Sequence, residues 1–185
     1  MDKHGRTTAG DAARIANISI PTAGQAITRT LPACAVAVIG FPLFASFLPL
    51  DAAEQRVPWE LLVLFAVLGL IGIVHHLTKA PRPRPDKKIL RAQWKRAFSS
   101  AVTSRSLPSH PDVRIAAGVA ACNVIEGFMV MVAALLGMLV CEFVRPELSW
   151  LVTSSGLLGG AIICTLRLRR SWTFLHVLHA DAQDS

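Results

Sequence analysis

The sequence predicts an all-α integral membrane protein with four transmembrane helices and a cytoplasmic interfacial amphipathic helix between helices 2 and 3. Two observations support this: four long apolar stretches, and connecting loops of sharply unequal charge. At about 1.5 Å per residue, each stretch can cross a hydrocarbon core of about 30 Å as a helix. With 52% hydrophobic residues and a mean hydropathy of +0.48, the composition excludes an ordinary soluble domain.

The positions of charged residues set the predicted boundaries. Charged residues are absent from Thr30–Leu50, Leu61–Thr78 and Leu148–Leu166, and Ile115–Cys141 contains only Glu126. The predicted segments are an N-terminal segment (1–29), transmembrane helix 1 (30–50), a short outer loop (51–58), helix 2 (59–78), a basic loop (79–114) with an amphipathic helix (87–104), helix 3 (115–141), a second short outer loop (142–147), helix 4 (148–168) and a tail (169–185). Because residues 1–29 are hydrophilic, we interpret the first span as a retained signal-anchor.

The distribution of Lys and Arg predicts the orientation. The N-terminal segment has four of these residues, the 79–114 loop has ten and the stretch from Arg167 to the end has three, whereas each short loop has one. Basic loops stay preferentially on the cytoplasmic side. We therefore expect both termini and the long loop in the cytoplasm, with an inner or plasma membrane as the location.

Cysteine and histidine give no pattern typical of a metal or cofactor site. Cys34, Cys122, Cys141 and Cys164 lie in or beside apolar stretches, without a second cysteine at metal-site spacing. All six histidines fall on the predicted cytoplasmic side, and adjacent His75 and His76 point about 100° apart on a helix. We expect packing cysteines, solvated histidines, no metal and no cofactor.

An amphipathic pattern follows the proline-rich segment 79–85. Apolar residues recur every four positions over 87–104, and basic residues occupy most of the remaining surface. The residues expected to contact a surface are Lys88, Leu90, Arg91, Trp94, Lys95, Arg96 and Phe98. A basic helix with a Trp/Phe/Leu face is typical of binding to an anionic inner leaflet. The alternative is docking on the protein's own cytoplasmic face or on a partner; without a stacking platform, we expect no nucleic acid partner.

Small residues predict close helix contacts, because apolar attraction alone cannot hold helices together in lipid. The fourth stretch contains Gly156-x-x-x-Gly160 with Ser155 and Gly159 beside it, and the third contains Gly118 and Gly127. We expect these two helices to pack together. Association of the fourth helix with a second copy of itself is the open alternative.

Glu126 is the strongest candidate for an intramembrane functional residue, since an ionised carboxylate inside the bilayer costs several kcal/mol (~3) unless paired or hydrated. Asn123 lies three residues earlier and is expected to be able to hydrogen-bond it. We expect no cation at its depth. Three alternatives follow: a proton- or ion-handling group, a polar contact to another subunit, or a protonated acid bonded to a carbonyl or to a hydroxyl such as Ser154 or Ser155.

Arg114 followed by Asn123-x-x-Glu126 in a small four-helix protein resembles the membrane-bound glutathione-transferase and eicosanoid-synthesis family. The resemblance covers about 13 residues and implies a site that binds glutathione. The motif falls on the third span here rather than the second, and no tyrosine follows it. We therefore do not assign the chain to this family, and the resemblance supplies only the remotest functional alternative.

The sequence contains no phosphate-binding glycine loop, nucleophile elbow or zinc-protease motif. We therefore expect a non-enzymatic accessory or scaffold subunit of a larger membrane assembly, for example in export or conjugation-type transfer. The alternative is a small transporter, channel or holin-like oligomer that uses Glu126. A membrane enzyme acting on a lipophilic substrate is the remote third possibility.

Overall fold

The structure, a computed structural model, describes residues 20–49, 57–79, 82, 91–148 and 150–184. Over these residues the chain forms five helices and no strand: α1 (Ala23–Ser46), α2 (Trp59–Thr78), α3 (Arg91–Ser104), α4 (Pro111–Val144) and α5 (Trp150–Asp184). Most of the predicted N-terminal segment and of the first outer loop lies outside the described residues, as do Lys88 and Leu90. The side chain of Arg91 is also outside what the structure describes.

Three of the described helices, α1, α2 and α4, are long and apolar enough to cross a membrane. Their length and composition are consistent with an integral membrane protein. Helix α5 is not among the three, and its apolar first half runs on into Arg167, Arg169 and Arg170. A fourth crossing is therefore a proposal.

Helix α1 begins well before the predicted start at Thr30. The hydroxyl of Thr22 accepts a hydrogen bond from the backbone N–H of Gln25 at 3.2 Å, and the Gln25 side chain accepts one from the N–H of Thr22 at 3.1 Å. This reciprocal arrangement is a capping box, which satisfies two backbone donors at a helix start. The apolar stretch alone therefore places the start of this helix too late.

The chain divides into two compact units, described here separately. The basic unit comprises Met1–Ala26, Pro81–Ile125 and Arg167–Ser185. Within it, Ile20 is buried, and a Cβ added at Gly118 would lie 2.5 Å from its Cδ1 atom. The carbonyl oxygen of Ile20 also lies 3.1 Å from Nε2 of His179. The residue that precedes α1 is thus fixed against α4 and α5.

The apolar unit comprises Ile27–Ala80 and Glu126–Leu166. Its core contains Phe41 of α1, Val67 of α2 and Met138 of α4, all fully buried. A Cβ added at Gly137 would lie 2.6 Å from the carbonyl oxygen of Ala37, a separation that real Cβ atoms essentially never show. Glycine at this position therefore permits the close approach of α1 and α4.

Candidate functional site

A buried glutamate and a histidine from two helices meet in the apolar unit. Glu126 lies on α4 with only 4% of its side chain exposed, and its Oε2 atom is 3.3 Å from Nε2 of His75. His75 lies in the last turn of α2, with 27% of its side chain exposed. A buried carboxylate is costly unless it has a partner, and an imidazole N–H can provide one in either protonation state. The pair is therefore the candidate functional site of this unit.

Glu126 was expected to have no partner at its depth from another span, because the histidines lie at helix ends; this contact shows that His75 reaches it. Ile115–Cys141 places Glu126 near the middle of a span, but α4 extends from Pro111 to Val144 and contacts the end of α2 at His75. Glu126 is thus level with the last turn of α2. The hydroxyl of Ser155, one of the expected partners, instead donates to the carbonyl oxygen of Val152 at 2.6 Å.

The second ring nitrogen of His75 distinguishes this pair from a fully satisfied structural contact. Nδ1 of His75 is buried and has no hydrogen-bond partner among the described residues. In many structural histidines both ring nitrogens are engaged, which fixes the tautomer. Here no described residue engages Nδ1, so a second contact does not fix the ring tautomer.

Asn123 has a polar partner from the proline-rich segment. Its side chain is exposed, and its Oδ1 atom accepts a hydrogen bond from Nη1 of Arg82 at 2.7 Å. A bond between an ionised donor and a neutral acceptor is stronger than one between neutral groups. The structure thus links Asn123 to Arg82, and its interaction with Glu126 stays a prediction.

The predicted packing glycines fall into two groups. A Cβ added at Gly160 would lie 3.2 Å from Sδ of Met131, so this glycine is where α5 approaches α4. A Cβ at Gly156, Gly159 or Gly127 would meet nothing within 4 Å, and all three are exposed. Ser155 is exposed as well. Only Gly160 thus makes the expected contact between the third and fourth stretches, while Gly118 contacts Ile20.

Helix α3 packs against the chain itself on one side. Phe98 is 7% exposed and its ring is 5.4 Å from that of Phe174 on α5, in an edge-to-face arrangement. Trp94, half-buried, lies edge-on to Phe98 at 5.3 Å. Lys95 and Arg96 are exposed. For Phe98, the arrangement matches docking on the protein rather than the expected insertion into lipid.

Replacing Phe98 with alanine tests this docking. We expect a loss of about 3 kcal/mol in the free energy of unfolding, because the substitution leaves a cavity against Phe174. Val102→Ala is the matched control, since Val102 is 48% exposed on the same helix and should change stability by less than about 1 kcal/mol. Thermal unfolding of the detergent-solubilised protein measures both. Equal effects of the two substitutions would contradict the docking.

Arg145, predicted only as a charge of the second short outer loop, is a buried structural residue. It is 7% exposed and follows the end of α4. Its guanidinium donates to the carbonyl oxygens of Ala45, Leu48 and Pro49 at 3.3, 2.9 and 2.8 Å, and to the side chain of Glu147. The sequence did hold one indication of this role. Arg145 is the sole cation of a short turn between two apolar stretches, where its side chain can reach the carbonyl groups at helix ends.

Metal-ligand chemistry finds no support among the described residues. No group of three or more His, Cys, Asp or Glu side chains in that part of the chain is placed to hold a metal ion. Nδ1 of His179 lies 2.8 Å from the carbonyl oxygen of Leu175, and its Nε2 faces that of Ile20. Both ring nitrogens are thus engaged with the backbone.

The residues behind the resemblance to glutathione-binding membrane proteins have separate partners. Arg114 donates to the carbonyl oxygen of Pro108 and, at 3.1 Å, to Asp181, whereas Asn123 accepts from Arg82. Comparisons with known protein families, with curated proteins and with solved structures found no match for this chain.

Proposed function

We propose that this protein is a non-enzymatic, polytopic membrane protein that acts as an accessory or scaffold subunit of a larger membrane assembly. The observation that carries the proposal is the arrangement of α3. Its aromatic residue Phe98 is used inside the protein, while Lys95 and Arg96 point outward without an ion-pair partner among the described residues. A helix arranged in this way offers charge rather than apolar surface to a partner.

The basic unit carries three further cations on its surface. Arg167, Arg169 and Arg170 are exposed on α5 and have no ion-pair partner within the described residues. Clustered charges of one sign speed the encounter with an oppositely charged partner and fix its orientation. We infer a membrane protein partner with an acidic cytoplasmic surface. Self-association of the chain is the alternative.

The proposed topology has four crossings, with both termini cytoplasmic and the basic unit at an anionic inner leaflet. The excess of Lys and Arg in three segments supports this orientation. The arginines that follow the apolar part of α5 suit a position at the lipid headgroups. A plasma or inner membrane is the proposed location.

Co-purification tests the proposed function. With a C-terminal tag and mild extraction from native membranes, we expect one stoichiometric partner, identified by mass spectrometry. The double variant Lys95→Ala, Arg96→Ala should reduce its recovery about tenfold, as expected for the loss of two favourable charge contacts. Recovery of the tagged chain alone under these conditions would contradict the proposal.

A matched control separates the two cations from net charge in general. Gln93→Glu with Thr103→Glu lowers the charge of α3 by the same two units, at exposed positions, and keeps both cations. This control should retain most of the partner. If both double variants lose the partner equally, the surface acts through its overall charge and the assignment to Lys95 and Arg96 fails.

A second candidate function is a small transporter or channel that uses Glu126. The specific observation in its favour is the His75–Glu126 pair, in which two proton-binding side chains from different helices are 3.3 Å apart. Ionisable residues within membrane helices commonly mark ion or proton paths. An enzymatic role has no comparable observation behind it.

A further inference from the structure

A cavity of about 720 Å³ lies within the basic unit, away from the outward face of α3. One wall is the loop after α3, with Arg105 and Leu107, and Arg114 lies in the first turn of α4. The opposite wall is the last part of α5, with Trp172, His176 and Asp181. This volume is within the range of small-molecule sites. The cavity is large enough for a ligand of the size of a glycerophosphate group.

Of the two arginines that line this cavity, Arg114 is paired with a carboxylate and Arg105 is not paired with any described residue. Arg114 donates to the carbonyl oxygen of Pro108 and to Asp181, so the one carboxylate in the lining is already compensated. Arg105 is exposed and has no hydrogen-bond or ion-pair partner among the described residues. The imidazole of His176 lies across the cavity and adds a donor. The lining thus favours an anion.

The backbone at Arg105 supports a specific role for this position. Its φ angle is 49°, in the left-handed region, where it is the sole non-glycine residue in the described part of the chain. Such a conformation costs about 1 kcal/mol or more for a residue with a Cβ. Glycine at this position would avoid the cost. Arginine at the cavity wall therefore lowers the free energy of unfolding relative to glycine.

The remaining lining is apolar and aromatic. Leu107, Val177 and the half-exposed ring of Trp172 lie beside the polar groups. Tryptophan joins an apolar body to one polar N–H and is common where a site is partly wet. An inorganic anion alone would leave this wall uncovered, whereas an organic phosphate would cover it.

We propose that this cavity binds the phosphate group of an organic phosphate ester, with Arg105 as the principal contact. The fixed guanidinium of Arg114 and the ring of His176 would complete the phosphate contacts, and Trp172 and Leu107 would hold the organic part. Arginine matches phosphate through a planar fork of N–H donors. The phosphate can come from a phospholipid headgroup or from a soluble ester. This inference does not depend on the proposed protein partner.

Binding to the full-length protein in neutral detergent and phosphate-free buffer tests the proposal. The lipid probe is dioctanoyl phosphatidate, with dioctanoyl phosphatidylcholine as its zwitterionic reference, and the soluble probe is glycerol 3-phosphate. At least one anionic probe should bind in preference to the reference. Arg105→Gly should weaken that binding about tenfold, which is the usual scale for loss of a hydrogen bond to a charged group.

The controls keep the test independent of folding. Arg105→Gly suits the left-handed backbone and should preserve the unfolding temperature, and Arg105→Asn provides a second variant that tolerates this conformation. Arg29→Ala removes an exposed cation outside the cavity lining and should bind as the wild type does.

The two probes distinguish the sources of phosphate. Preferential binding of phosphatidate supports a lipid headgroup, and binding of glycerol 3-phosphate supports a soluble ester. The proposal is overturned if neither probe binds above the reference, if both Arg105 variants bind like the wild type, or if Arg29→Ala weakens binding as much as they do. Recovery of a protein partner, scored separately, bears only on the accessory-subunit proposal.

Discussion

Arg145→Ala is expected to lower the free energy of unfolding by about 3 to 5 kcal/mol. This is the usual range when one partner of a buried charged interaction is removed and the other partners stay. The guanidinium donates to three carbonyl oxygens at and beyond the end of α1. The Ala45 carbonyl, in the last turn of α1, also accepts a hydrogen bond from the backbone N–H of Leu48 at 3.2 Å, so the loss falls mainly on the Leu48 and Pro49 carbonyls. Without Arg145 the half-buried Leu48 carbonyl and the Pro49 carbonyl lose this donor, and the bond across to the end of α1 is lost.

Thermal unfolding in neutral detergent, followed by tryptophan fluorescence, measures this loss. Trp150 is a suitable reporter because it is 1% exposed and its indole N–H donates to the carbonyl oxygen of Arg145 at 3.1 Å. Arg145→Lys should lose part of the stability, since a compact ammonium lacks the planar fork of donors that arginine uses to reach several acceptors.

Glu147→Gln is the matched control for the ion pair, because Glu147 is exposed and surface pairs contribute little. Its hydrogen bond from Arg145 lowers the pKa of Glu147 below the ordinary value of 4.5. A lowered pKa in the folded state stabilises the fold above the ordinary value, and this contribution is lost as the pH falls through the folded value. At pH 7 the pair is therefore intact. Equal stability of Arg145→Ala and Glu147→Gln there would show that the carbonyl contacts do not matter.

The helical structure of the chain could be predicted because backbone N–H and C=O groups inside a bilayer must bond within the protein, which an apolar segment achieves as a helix. Long apolar stretches with at most one charged residue identify α1, α2 and α4 directly. The ends of the helices could not be found in this way. Helix α1 starts at a polar capping box, and α5 continues past three arginines to Asp184. Capping and packing determine where a helix begins and ends. The apolar stretch indicates only which part of the helix can lie in the hydrocarbon core.

One residue of the His75–Glu126 pair could be predicted from the sequence and the other could not. Glu126 could be identified from the sequence because it is the one carboxylate in an apolar stretch, and a carboxylate inside a membrane is costly unless it has a partner. Its partner His75 could not be found, since the level at which two helices meet depends on their full lengths and on tertiary packing. Arg145 was missed for a similar reason: a loop arginine and a buried one look alike until the neighbouring carbonyl groups are placed. Contacts between distant residues were the information that the sequence pattern lacked.

Glu126→Gln provides the decisive test of the transporter candidate. The amide has nearly the shape of the carboxylate and keeps an oxygen that can face Nε2 of His75, but it cannot carry a proton or a negative charge. If Glu126 handles ions or protons, flux into proteoliposomes under an imposed pH gradient should fall more than about tenfold, with expression and assembly unchanged. A fluorescent pH indicator inside the vesicles measures the rate.

Glu142→Gln is the control, because it makes the same chemical change on the same helix, at a residue close to the end of α4. It should transport at the wild-type rate. Wild-type flux in Glu126→Gln would remove the carboxylate from any transport role. A lowered unfolding temperature with no flux in any variant would instead make the pair a structural contact, since losing a buried charge partner destabilises a fold whether or not it transports anything. The accessory-subunit proposal would then stand without a competitor that uses this pair.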